Sequence, residues 1–383
     1  MKNRRVWVIG NRGMLGQELC RLFDREGVSY VGSDLEVSIL DPEALLRFGQ
    51  EAFVLPLQRN EGQRQSFLSA NPAPLSTQHA PPFWIVNCAA YTAVDKAEDE
   101  PEKCFALNAE GPRNIARVEE KLGAGLIHLS TDYVFDGSGM REDSPVRVAR
   151  EDEASKSYTE RTGTGTKGGY DSFSEPGLGD KLQIGSARSG ILSDRAVNSQ
   201  GPRPYREEDP VNPLGVYGKS KAVGEEAVRQ SCTRAVILRT AWLYGKHGNN
   251  FVYTMLHLMK EREVVRVVND QRGSPTWAAD LARAILAIIQ APNPTYGIFH
   301  FTNGDECTWY EFAREIYRLG RELSLIPREC RIEPITTAEY PTKAKRPQYS
   351  VLSKEKIQRV YGVPVPPWKE SLERFLTELS RKM

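Results

Sequence analysis

"RVWVIGNRGMLGQELCRLFDREG", residues 5–27, decides how the chain is read. Its first residues form a short, mostly apolar, β-favouring run that stops at Gly10, the pattern of a strand buried on both faces of a parallel sheet. From Met14 the apolar side chains recur at helical spacing, and the run closes on Gly27, a residue suited to a helix C-terminus. Between strand and helix lie Gly10, Gly13 and Gly16, spaced G-x-x-G-x-x-G. Glycines at such a junction let the backbone approach a pyrophosphate, while the helix N-terminus presents N–H groups and a favourable dipole. A tight turn alone accounts for one or two of the three. The junction therefore predicts a nucleotide-binding strand, loop and helix.

Working outward, the same alternation continues. "SYVGSD" reads as a second strand ending at Asp34, and "DPEALLRFG" as a helix capped by Asp41 with Pro42 in its first position. "FWIVNCAAY" and "AGLIHLSTDYVF" read as strands around the helix "GPRNIARVEEKLG". After Pro213 come a helix from about Tyr217, the strand "AVILRTAWLYG", the helix "NFVYTMLHLMKER" and the strand "VVRVVND". The helix "AADLARAILAIIQ", the strand "GIFHFTN", the helix "TWYEFAREIYRLG" and a last helix "PWKESLERFLTELSRK" follow. Strands alternating with helices predict an α/β fold, a Rossmann-type doubly wound parallel sheet. Residues 56–82 and 138–205 break the rhythm: both are polar with few large apolar side chains, and read as mobile excursions, the longer one alternatively as a lid.

Composition bounds the function. The 383 residues carry 51 basic and 50 acidic side chains, a formal net charge of +1, so no global field favours nucleic acid or an anionic membrane. Six cysteines without a close pair read as reduced core residues, neither a disulfide scaffold nor a zinc site. The five histidines form no metal-like cluster. The apolar run near the N-terminus is too short for a signal peptide, and no segment has the length of a membrane span, so a soluble cytoplasmic protein is expected.

The chemistry-bearing residues cluster at predicted strand ends. Asp34 lies 18 residues beyond Gly16, where an acid commonly holds the adenosine ribose hydroxyls; it favours NADH, whereas Arg12 would suit the 2′-phosphate of NADPH. Ala89, Ala90 and Tyr91 follow the third strand, and small side chains there leave room for a dinucleotide. Ser130, Thr131, Asp132 and Tyr133 end the next strand, on the carboxyl edge where such sheets bind ligands. A hydroxyl there either bonds a substrate carbonyl or is consumed by local backbone bonds. Tyr217 and Lys221 stand four apart at the start of a helix and so share a face. A lysine beside a tyrosine lowers the phenol's pKa and makes it a workable proton donor for a carbonyl receiving hydride.

These motifs resemble the extended short-chain dehydrogenase/reductases, and within them the dTDP-4-dehydrorhamnose reductase family. The resemblance rests on the glycine loop and on "NCAAYTAVDKAEDEP", "LNAEGPRNIA", "HLSTDYVFDG", "NPLGVYGKSKAVGEEAV", "ILRTAWLYGKHGNNFVYTML", "VVNDQRGSPTWAADLA" and "AEYPTKAKRPQYSVL". It spans the chain except the two polar stretches. It implies a nucleotide-binding domain over 1–240 and a smaller C-terminal substrate-binding lobe over 241–383, with about 276–295 returning to the first. It implies a pyrophosphate loop of Gly10, Gly13, Met14, Leu15 and Gly16, with Ala89, Ala90 and Tyr91 lining the dinucleotide. It further implies a catalytic trio in which Tyr217 donates the proton, Lys221 holds the nicotinamide ribose and tunes Tyr217, and Thr131 bonds the reacting oxygen. Asp132, Tyr133 and Trp242 would face the deoxysugar, although Trp242 reads equally as a core aromatic. The implied reaction is reduction of dTDP-4-dehydro-6-deoxy-L-mannose at C4, with NADPH or NADH as cofactor. Mg2+ and a homodimer remain open. Reduction or epimerisation of another nucleotide sugar, or a non-catalytic role like that of the methionine adenosyltransferase β subunit, are the alternatives. The chain departs from the family pattern at Ser38-Ile39, where an aspartate and an apolar residue often lie near the adenine.

Overall fold

The computed structural model describes residues 4–54, 81–140 and 201–381. The polar stretches expected to be mobile lie almost wholly outside the described residues. Where the chain leaves and re-enters, Met140 and Arg203 form an antiparallel bridge and Tyr205 stacks on Phe135 with ring centroids 4.1 Å apart.

Six parallel strands form the main sheet: β1 (Arg5–Ile9), β2 (Tyr30–Ser33), β3 (Phe83–Asn87), β4 (Gly125–Thr131), β5 (Ala235–Thr240) and β10 (Gly297–His300). Their spatial order is β10-β5-β4-β3-β1-β2. The order reverses between β1 and β3, and the crevice beyond the carboxyl ends at such a switch point is where α/β sheets bind ligands.

Alternation along β1 sorts its side chains to the two faces. Val6 and Val8 pack with α1 (Met14–Glu26) and α8 (Ala278–Gln290) through Leu19, Phe23, Leu281 and Ile285. Trp7 and Ile9 point the other way, into a core with Leu45 of α2 (Pro42–Gly49), Ile115 and Val118 of α5 (Gly111–Leu122), and Val228 of α6 (Val216–Ser231). Both expected caps form: Gly27 closes α1 at φ 66°, and the Asp41 side chain accepts from Glu43 and Ala44 N–H. Each fully buried large side chain contributes roughly 1.5–3 kcal/mol, so both faces hold the strand ends in place.

A second core gathers Tyr244, Leu256, Val265, Phe312, Ile316, Trp368 and Phe375. Its elements are β6 (Leu243–Tyr244), α7 (Phe251–Glu261), β7 (Val264–Val268), α9 (Trp309–Glu322), β12 (Arg331–Ile335) and α11 (Trp368–Ser380). This lobe is discontinuous in sequence. α8 and β10 both belong to the main sheet's layers, and Ile357 of α10 (Glu355–Tyr361) sits in the core beside α1.

Two local readings differ from expectation. "AVILRTAWLYG" is not one strand: it breaks after Thr240, and Trp242 takes φ 46° before β6. "RIEPI" is a strand, paired in parallel with β7, which periodicity did not reveal because Pro334 and two charged residues interrupt its apolar pattern. A two-stranded ribbon is all edge, so it tolerates the proline's missing donor.

Candidate active site

The glycine loop is dimensioned for backbone only. A Cβ on Gly16 would lie 2.2 Å from the Gly10 carbonyl oxygen, and one on Gly10 would lie 2.8 Å from the Ala89 nitrogen. Gly10 also needs its positive φ of 76°. The N–H groups of Gly10 and Asn11 donate to Ser33 O at 2.8 and 3.2 Å, which ties the loop to β2. α1 then starts at Gly13 with no side-chain cap and no acid in its first turn, the arrangement a phosphate at that end requires. Leu15 is a core side chain and Met14 faces Gly245 and Gly248, so these two offer the loop only their main chain.

At the end of β2, the Asp34 carboxylate accepts from Arg12 N–H at 3.1 Å and Leu35 N–H at 3.0 Å. Glu36 accepts from Asp34 N–H at 2.8 Å and lies 3.3 Å from the Arg12 guanidinium. The cation that suited a 2′-phosphate is thus already faced by an acid. Ile39 is buried against Gly111, and its carbonyl accepts from Asn114.

Beyond β3, Ala89 N–H donates to Asn87 Oδ1 at 3.1 Å, which sets the small-residue segment Ala89–Ala90 against Gly10. Tyr91 is pinned at three points. Its N–H donates to Asn108 Oδ1 at 2.8 Å, its carbonyl accepts from Asn108 Nδ2 at 3.1 Å, and its hydroxyl donates to Glu100 at 3.0 Å. Asn108 is fully buried in a single π-helical turn, Ala106–Glu110, and also donates to Ser220 Oγ on α6 at 3.0 Å. It fastens the segment after β3 to the helix carrying Tyr217 and Lys221. In the sequence its one signal is a lone amide between Leu107 and Ala109.

Thr131 ends β4, in register with Thr240 of β5. Its hydroxyl donates to Asp132 Oδ1 at 2.9 Å and accepts from Tyr133 N–H at 3.2 Å. The Tyr217 ring meets Tyr133 edge-on, centroids 5.5 Å apart. Thr131, Asp132, Tyr133 and Tyr217 are therefore brought together. Lys221 Nζ donates to Leu129 O at 2.5 Å.

The electrostatics differ from expectation in one respect. Burial raises the Tyr217 phenol; the nearby Thr131 hydroxyl opposes this, and Asp132 and Cys104 add to it, with Lys221 not among the groups acting on it. The reason is geometric, since the lysine amine is turned to a strand carbonyl. Burial brings Lys221 itself down to about 8. Asp132 is pushed up to about 6 by burial, against the pull of Ser350 and Thr131.

The C-terminal tail reaches the same edge. Arg346 grips Asp95 with bonds of 3.1 and 2.7 Å, and Lys343 reaches Asp99 at 2.6 Å. "AVDKAE" and "KRPQYS" are thus partners, and Ser350 of the tail stands beside Asp132. Trp242 lies two residues past Thr240 but stacks on Trp309 at 3.5 Å and packs at the edge of the second core. Its core reading holds for that ring face. Among the described residues no group of His, Cys, Asp or Glu side chains is arranged to hold a metal ion, and no helix is long and apolar enough to cross a membrane.

A glycine cradle, an acid at the end of β2, Thr131 at the end of β4, and Tyr217 and Lys221 on α6 fit a nicotinamide dinucleotide beside a carbonyl. The family model for the RmlD substrate binding domain matches residues 4–162 and 191–381. The spore coat polysaccharide biosynthesis protein SpsK of Bacillus subtilis is 32% identical over 377 residues, 98% of either chain. The dTDP-4-dehydrorhamnose reductase of Sinorhizobium fredii is 34% identical over 309 residues, 79% of this chain and 83% of that one. The crystal structure of dTDP-4-dehydrorhamnose reductase from Bacillus anthracis in complex with NADP aligns over 98% of this chain and 99% of that one, with TM-score 0.68 and 30% identity. The chain belongs to the RmlD substrate-binding-domain family, that of the dTDP-4-dehydrorhamnose reductases.

Proposed function

We propose that this chain is an NAD(P)H-dependent reductase of the C4 keto group of dTDP-4-dehydro-6-deoxy-L-mannose, giving dTDP-L-rhamnose. The observation that carries the reading is the placing of Thr131 at the carboxyl end of β4 with Tyr217 packed edge-on against the adjoining Tyr133, together with a glycine cradle at the end of β1 that admits only backbone. The relatives named above support the substrate class.

A nicotinamide bound there would supply the hydride that C4 receives. Tyr217 gives its phenolic proton to the oxygen that becomes the hydroxyl. Burial keeps that phenol protonated at neutral pH, the state a donor needs. Thr131 orients Tyr217 and the reacting oxygen. Lys221 would hold the nicotinamide ribose hydroxyls, Asp34 those of the adenosine ribose, and Gly10, Gly13 and Gly16 would admit the pyrophosphate. Asp132, Tyr133 and Trp242 line the deoxysugar.

Tyr217→Phe is the test. Cofactor binding, read by nucleotide fluorescence, stays as in the parent, while turnover with the dTDP-4-keto sugar falls by roughly 10²–10⁴-fold. Near-normal turnover would refute the assignment. NADPH and NADH oxidation with dTDP-, UDP- and GDP-linked 4-keto sugars fixes the nucleotide. No oxidation with any of them favours a regulatory role instead.

A further inference from the structure

One turn beyond Lys221, α6 carries a third buried polar side chain, Glu225. Tyr217, Lys221 and Glu225 are spaced i, i+4, i+8 and so share a face. Glu225 is 4% exposed, and both its carboxylate oxygens are engaged. Ser130 Oγ of β4 donates to Oε1 at 2.5 Å; Arg239 of β5 donates from Nε to Oε1 at 2.9 Å and from Nη2 to Oε2 at 2.6 Å. Arg239 is 2% exposed, lies 5.1 Å from the Phe135 ring and comes within 3.4 Å of His300 Nε2.

Such a pair is a costly way to hold a fold. Two ions lose their hydration, and a hydrophobic pair of similar volume is often as stable or more so. Its placement behind Lys221 supplies a reason. The titratable groups around the lysine are Tyr217 on its own helix, Cys104 of α4 (Pro101–Phe105), His128 of β4, and Glu225, with Arg239 beyond on β5. Burial holds the Cys104 thiol protonated and His128 neutral. The carboxylate that acts on Lys221 is that of Glu225.

We propose that Glu225, clamped by Arg239 and Ser130 one helical turn beyond Lys221, is a positioning residue for the reaction: its carboxylate favours the form of the buried Lys221 amine that grips the cofactor. The proposal rests on the reading above that Lys221 holds the cofactor ribose. Burial brings Lys221 down to about 8 while Glu225 opposes that fall. Without Glu225 the ammonium loses its proton nearer neutrality, and the grip on the cofactor goes with it.

The test uses Glu225→Gln and the double variant Glu225→Gln with Arg239→Gln. The double variant matters because the single one strands a buried guanidinium. NADH and NADPH affinities of the substrate-free enzyme are measured by fluorescence from about pH 6 to about pH 9, alongside the pH profile of kcat/KM. Once Lys221 is above its pKa, affinity should fall about tenfold per pH unit. We expect both variants to bind like the parent at about pH 6 and to begin this fall about one pH unit earlier. A folded double variant whose curve superimposes on the parent's overturns the proposal. Lys221→Met separates the two levels. If it weakens cofactor binding while the Glu225 variants behave as the parent, only the positioning role fails. If it binds cofactor as the parent does, the role of Lys221 falls and the proposal with it.

Discussion

Glu119→Gln should change how stability depends on pH more than stability itself. Glu119 lies on the buried face of α5 with no exposed surface, and neither carboxylate oxygen has a well-formed hydrogen bond. The nearest cation, Arg234, is 4.0 Å away. Burial pushes the carboxyl from 4.5 up to about 7, with Glu120 adding to the rise and Cys232 and Arg234 opposing it. The folded chain thus holds a proton that the unfolded chain has already released. The resulting stabilisation is complete below the unfolded value of 4.5 and is lost as pH rises through about 7. At about 1.4 kcal/mol per pH unit the full swing is about 3 kcal/mol, of which about 2 kcal/mol falls between about pH 5.5 and about pH 8. Glutamine does not titrate, and the cost of its buried amide, about 1–3 kcal/mol, is the same at every pH. Urea unfolding of both proteins at the two pH values isolates the effect as a difference of differences. The parent should lose about 2 kcal/mol more than the variant on going to the higher pH. Parallel pH curves, within about half a kcal/mol, would show that Glu119 is ionised or hydrated in the folded chain and refute the reasoning.

Gly16→Ala puts a methyl group 2.2 Å from the Gly10 carbonyl oxygen, so the loop must open. NADH and NADPH affinity should fall at least about tenfold while far-UV circular dichroism is unchanged, and parental affinity would exclude the loop as the pyrophosphate site. Glu36→Gln releases Arg12 from its ion pair. The ratio of NADPH to NADH affinity should rise by about three- to tenfold, as for one partly exposed charge, and an unchanged ratio would mean Arg12 does not face the 2′-phosphate.

Much of the fold was legible because its signals are local. β1, the glycine loop and α1 are consecutive, and an apolar run, three glycines and a helical period each report on a few neighbouring residues. The same holds for the capping of α2 by Asp41 and for α8, whose expected span matches the structure. Strand ends were readable too, so Asp34, Ala89 and Thr131 were expected at or just beyond them. β12 escaped because Pro334 and its charged neighbours mask the period, and the break at Trp242 because a positive φ in tryptophan has no sequence signature.

What the sequence by itself determined is the layer architecture, the glycine loop between β1 and α1, and the placing of Tyr217 and Lys221 on one helix face. Only the tertiary structure decided how that site is held. Asp95 meets Arg346 across 251 residues, Ser130 meets Glu225 across 95, and Asn108 joins Tyr91 to Ser220 across 17 and 112. It also decided the charge states, raising Tyr217 and lowering Lys221 through burial. Periodicity and glycine spacing act between near neighbours in the chain. Desolvation and buried hydrogen bonds act between neighbours in space, and no local pattern encodes which these are.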